Sequence, residues 1–151
     1  MNQQYQVEKL KAAVTLYLVD GQERTGVMFL SPCSMHQSGA QTLAEVLREP
    51  DPFVPFVSDE SGFLLINKAQ ISHLRYEPVA TDMPTFGTPI EVTVTFTNSR
   101  QLSGVVLLEV PEGKARLQDF MNSNSAYFSL DCGDAFYLVN PAVIIEIAPI
   151  K

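Results

Sequence analysis

The sequence has no tryptophan, and only two cysteines and two histidines in 151 residues. Two cysteines exclude a disulfide-dense secreted scaffold. Cys33, His36, His73 and Cys132 are the whole supply of thiol and imidazole metal ligands. Charge is also sparse. Charged residues make up 18%, and ten basic against seventeen acidic residues leave a net −7. That balance argues against a free-standing nucleic-acid binder, because phosphate contacts demand clustered Lys and Arg. No apolar run approaches the ~20 residues that cross a bilayer. The best, from Ala12 to Val19, is interrupted by Thr15 and ends at Asp20-Gly21. It lacks a small-residue cleavage site, so a soluble, cytoplasmic protein is expected, with no membrane partner. There is no Gly-rich phosphate loop and no Gly-x-Ser-x-Gly elbow. The chain is therefore expected not to be an enzyme and to use no cofactor.

What the chain does have is 46% hydrophobic residues, enough for a packed core, and an internal repeat. The stretch Val14-Thr15-Leu16-Tyr17-Leu18-Val19-Asp20-Gly21, moved by 78 positions, falls on Val92-Thr93-Val94-Thr95-Phe96-Thr97-Asn98-Ser99. The same shift takes Gly26-Val27-Met28-Phe29-Leu30 onto Gly104-Val105-Val106-Leu107-Leu108. At a shift of 74, Leu43 to Arg48 matches Leu117 to Asn122, and Phe53 to Phe56 matches Tyr127 to Leu130. At 73, Phe63-Leu64-Leu65-Ile66-Asn67 matches Phe136-Tyr137-Leu138-Val139-Asn140. Block order is kept and gaps fall between blocks, as duplication of one unit requires.

Each copy reads the same way. Alternating residues such as Val92, Val94 and Phe96 against Thr93, Thr95 and Thr97 predict a first strand. Asp20-Gly21 and Asn98-Ser99 supply turn chemistry. Gly26 and Gly104 mark a bulge, bend or close approach in the second strand. Thr42 and Glu45 fit a capping box. Leu43, Val46 and Leu47, and likewise Leu117, Phe120 and Met121, lie on one face of a short helix. Three short strands follow, at about 53–57, 63–67 and 71–75 in the first copy, and 127–131, 135–139 and 143–148 in the second. Residues 76–91 hold Pro78, Pro84 and Pro89 and predict an extended linker.

Five short strands, a glycine in strand two and a one-turn link before the last strand resemble the Sm-like barrel of the SH3-like class. Leu65-Ile66-Asn67-Lys68-Ala69-Gln70-Ile71 and Leu138-Val139-Asn140-Pro141-Ala142-Val143-Ile144 resemble its second motif. The pattern also resembles uncharacterised bacterial proteins to which no activity is attached. The resemblance implies a mainly β chain of two tandem five-stranded barrels, to which the residues themselves add a short helix between strands two and three of each. The first copy would be 1–75, the linker 76–91 and the second copy 92–151. It also implies ring-like or dimeric assembly and, in that family, RNA binding. The helix departs from the usual layout. Asn67-Lys68 and Asn140-Pro141 stand where the family commonly has Arg-Gly. Within the matched stretch 14–74 there are three basic against seven acidic residues, and within 92–147 three against six, so RNA is disfavoured. The leading expectation is a non-catalytic interaction or assembly module, which associates with itself or another protein. An RNA or small-ligand binder is the alternative.

Candidate side chains divide in the same way. Asn67 and Asn140, with Lys68, read either as loop-borne contacts or as Asx-turns that start the link between strands. Cys33-x-x-His36 has metal-compatible spacing, but nothing brings His73 and Cys132 to it, so no metal site is expected. Asp59-Glu60, Asp131 and Asp134 read as solvated turn acids. Met35 and His36 sit in the polar insertion Ser31 to Gln41, which has no counterpart in the second copy, and are candidate partner contacts. Each copy is small enough to be marginal alone. The two are expected to pack together by sharing a sheet edge.

Overall fold

Val14 and Leu16 are buried while Thr15 and Tyr17 are only half-buried. That alternation makes Leu10–Leu18 a strand, β1, with one face to a core. The computed structural model describes residues 9–34, 39–77, 87–108, 113–123 and 126–150. In the first half β1 is followed by β2 (Glu23–Leu30), α1 (Leu43–Arg48), β3 (Phe53–Ser58), β4 (Gly62–Asn67) and β5 (Ile71–Tyr76). The second half repeats the series as β6 (Thr88–Phe96), β7 (Gln101–Leu108), α2 (Gly113–Ser123), β8 (Phe128–Asp131), β9 (Phe136–Val139) and β10 (Ile144–Pro149). A single 3-10 turn joins β4 to β5 and another joins β9 to β10.

The capping box at α1 forms as the residue types predict. Thr42 Oγ1 accepts from Glu45 N, and Glu45 Oε1 accepts from Thr42 N. The α1 side chains Leu43, Val46 and Leu47 are buried, and Leu117 of α2 is buried with Phe120 and Met121 partly so. Gly26 and Gly104 are places of close backbone approach. A Cβ at Gly26 would overlap the Val57 carbonyl oxygen, and one at Gly104 would stand 2.7 Å from the Asp131 oxygen.

The chain is mainly β, but it does not form two separate five-stranded barrels. All ten strands join one open antiparallel sheet, in the order β10-β6-β7-β8-β9-β5-β1-β2-β3-β4. Each half keeps its own strand order, and the halves meet where β5 pairs with β9. The reason is the edge. A five-strand unit leaves a row of unpaired N–H and C=O groups at each side, and here one edge of each half satisfies the other. The halves do share a sheet edge. Within the expected linker 76–91, Tyr76 ends β5 and Thr88 begins β6, while 78–86, with Pro78 and Pro84, lie outside the described residues. Pro89 is tolerated in β6 because pairing with β10 ends at Val92.

The two halves bury opposite faces of this sheet. Val14, Leu16, Met28, Phe56, Leu74 and Tyr76 face the first core. Across the joint, the same face carries Phe136 and Leu138 and then turns outward. The second core, with Val94, Phe96, Val106, Leu130 and Val139, lies on the other face. Strands β5 and β9 are therefore covered on both sides.

Candidate functional site

The joint is built from the ends of both halves. His73, Leu74, Arg75 and Tyr76 stand opposite Val139, Leu138, Tyr137 and Phe136. Asn140 Oδ1 accepts from Ala142 N at 3.0 Å, which starts the 3-10 turn, while its Nδ2 donates to Ile71 O at 2.9 Å across the joint. The Tyr127 hydroxyl donates to Lys68 O at 2.8 Å. Burial raises the pKa of that hydroxyl above the ordinary range, so it remains a donor. Asn98 Nδ2 donates to Val19 O at 3.2 Å, a third side-chain tie between the halves.

His73 lies in the middle of this joint. Its ring stacks on Tyr17 at 4.4 Å and on Phe96 at 4.8 Å, and meets the edge of Tyr137 at 5.5 Å. Ser72 Oγ donates its one proton to Tyr17 O at 2.9 Å. It must then accept from His73 Nδ1, 2.8 Å away. This network assigns a neutral ring with its proton on Nδ1. Burial, and then the Arg100 guanidinium, hold the His73 pKa down at about 4. Arg100 itself lies 5.7 Å over the Tyr17 ring.

On the two edge strands, β4 and β10, and on β3 beside the first of them, the equivalent side chains are uncovered. Tyr127 is 6% exposed, but its counterpart Phe53 is 50% exposed. Leu138 is 2% exposed and its counterpart Leu65 60%. Phe63 on β4, the counterpart of half-buried Phe136, is 64% exposed. On β10, Ile145 is 59% exposed, whereas its counterpart Ser72 is buried in the joint. Ile150 N donates to Glu91 O. Because main-chain groups alternate in direction along a strand, Pro149 presents its nitrogen outward, where no donor is lost to the existing sheet.

The residues singled out from sequence are scattered. Asn67 and Asn140 both make the Asx-turn, since Asn67 Oδ1 accepts from Ala69 N at 3.0 Å. Lys68 Nζ donates to Glu49 O, beside a cleft of about 340 Å³ that Cys33, Glu45 and Phe53 also line. Met35 and His36 lie outside the described residues. Cys33 is exposed and Cys132 is half-buried. Burial, with Asp134 and Asp131 nearby, pushes the Cys132 thiol up to about 11, which leaves it a poor nucleophile. Among the described residues no group of three or more His, Cys, Asp or Glu is placed to hold a metal ion. Asp59, Glu60, Asp131 and Asp134 are exposed. Among the described residues no helix is long and apolar enough to cross a membrane. Sequence reasoning missed the Tyr17–His73–Phe96 stack. The signal for it was a histidine between Ile71 and Leu74 in a short strand.

Comparison of the chain with protein-family models, curated proteins and solved structures gives no match.

Proposed function

We propose that the protein is a non-catalytic assembly module made of two Sm-like five-strand units. It associates with further copies of itself by adding β4 of one chain to β10 of the next. The observation that carries this reading is the contrast between the joint and the free edges. Phe53, Phe63 and Leu65 are exposed at positions whose counterparts are covered inside the chain. An exposed strand with an apolar face is a template for strand addition. The internal register, transferred by the repeat, puts Glu146 opposite Ile66, Ile147 opposite Leu65, Ala148 opposite Leu64 and Pro149 opposite Phe63, where the proline brings no N–H and the added ladder is one bond short. Such a contact is head-to-tail, so it closes into a ring or continues as a filament. The Asn67 amide then donates to the neighbour's Ile144 carbonyl, as Asn140 does to Ile71. The acidic balance of both halves weighs against RNA as the partner.

Disulfide trapping tests the register. Ala148 and Leu64 would form a pair without main-chain hydrogen bonds, the closer of the two antiparallel pair types. Replacing Cys33 and Cys132 with Ser, then introducing Ala148→Cys and Leu64→Cys, should give an oxidised ladder of linked chains. Either new cysteine alone should give at most a dimer. Absence of the ladder at concentrations where wild type is multimeric would rule out this register.

A further inference from the structure

We propose that the outer face of the second half binds a small organic amine, with its apolar body in a cavity beside the joint and its ammonium on Asp131. The cavity holds about 270 Å³ and draws on β5, β6, β7, β8 and β9. The sheet register sets its floor. Val105 is opposite Asp131, Asp131 is opposite Phe136, and Phe136 is opposite Tyr76. Leu107, opposite Pro89, and Ser129 form the adjacent row. Tyr76 comes from the first half, so the site exists only because the halves are joined.

The repeat shows what is special here. Val105, Leu107 and Phe136 have the apolar counterparts Val27, Phe29 and Phe63 in the first half. Ser129 and Asp131 instead stand where the first half has Pro55 and Val57. The second half has thus gained a hydroxyl and, at the exposed rim, a carboxylate, two residues apart on one strand face beside an otherwise apolar wall. Asp131 Oδ1 accepts from Gly133 N at 2.9 Å. Among the described residues its second oxygen has no hydrogen-bond partner, and no Lys or Arg lines the cavity. A few polar groups in an apolar cavity orient a ligand. A carboxylate there selects a cation that donates hydrogen bonds. The volume lies below the range for drug-sized ligands, which restricts the body to one ring or a short chain.

Benzylamine at neutral pH is a suitable probe, followed by amide chemical shifts of the full chain. The expected result is a saturable shift centred on Val105, Leu107, Ser129 and Phe136. Benzyl alcohol, with the same ring and no charge, should bind at least about fivefold more weakly. Asp131→Asn keeps the turn, because its amide oxygen still accepts from Gly133 N, and should weaken benzylamine at least about fivefold. Asp134→Asn, an acid outside the cavity, should change the affinity less than about twofold. The proposal is overturned if no saturation appears by about 10 mM amine. It is equally overturned if the alcohol binds as well, or if the two variants weaken the amine alike.

Discussion

Asn140 and Asn67 make the same turn at equivalent points of the repeat, yet only Asn140 reaches across to another strand. Its Nδ2 donates to Ile71 O at 2.9 Å in a buried setting, while Asn67 bonds only locally, to Ala69 N at 3.0 Å. Removing Asn140 therefore takes the close donor from the buried Ile71 carbonyl, leaving it only the Tyr127 hydroxyl at 3.5 Å, and removes the turn as well. Asn140→Ala should cost about 2 kcal/mol and Asn67→Ala under about 1 kcal/mol, as measured by urea unfolding of monomeric material. The Asn67 variant should instead weaken self-association. Equal stability losses would contradict the distinction.

The buried His73 ring gives the fold an acid sensitivity of known sign. Its pKa is about 4 when folded and 6.5 when unfolded. Below pH 6.5 the unfolded chain takes up a proton that the folded chain refuses, so stability falls as pH drops from 6.5 towards 4. Below that both states carry the proton and the loss levels off. The full difference is worth at most roughly 3 kcal/mol. His73→Phe keeps a ring between Tyr17 and Phe96. It should flatten this part of the stability–pH curve relative to wild type, and an unchanged difference between pH 7 and pH 4.5 would refute the assignment.

Gly26 and Gly104 serve the same role with unequal tightness. Gly26→Ala drives a methyl into the Val57 carbonyl and the Phe56 ring. Gly104→Ala meets the Asp131 oxygen at 2.7 Å and the movable Cys132 Sγ at 2.9 Å. The expected loss is about 3 kcal/mol or more at Gly26 and about 1–2 kcal/mol at Gly104. Thermal melts of the two variants would show the order.

The repeat made much of this fold legible. Shifting β1 and β2 by 78 positions lands on the bounds of β6 and β7, and shifting β5 by 73 lands on β10. The α1 capping box and both Asx-turns also follow from residue types. Strand β5 was harder to read for a physical reason. Ile71, Ser72, His73 and Leu74 are all buried, because one face meets the first core and the other the second. Alternation disappears from a strand covered on both sides. Which edges meet was not legible either. Two identical sets of edges offer several pairings, and the choice depends on particular contacts such as Tyr127 with Lys68 and Asn140 with Ile71. The cavity residues Ser129 and Asp131 stand out only once the halves are compared position by position on a known sheet face.

A charge on the apolar edge should undo assembly without undoing the fold. Leu65→Lys places an ammonium on a residue already 60% exposed, so the melting temperature should change little. Strand addition at β4 should fail, since a charged edge resists pairing.

Light scattering of the eluting protein in size-exclusion chromatography tests the central claim most directly. The account predicts a wild-type particle of at least twice the 16.7 kDa chain mass, and a Leu65→Lys variant that elutes folded at 16.7 kDa. Wild type at the mass of one chain up to about 100 µM would contradict it, because edges that stay unpaired at a concentration where even a weak association with a Kd of about 10 µM would be populated are not assembly surfaces.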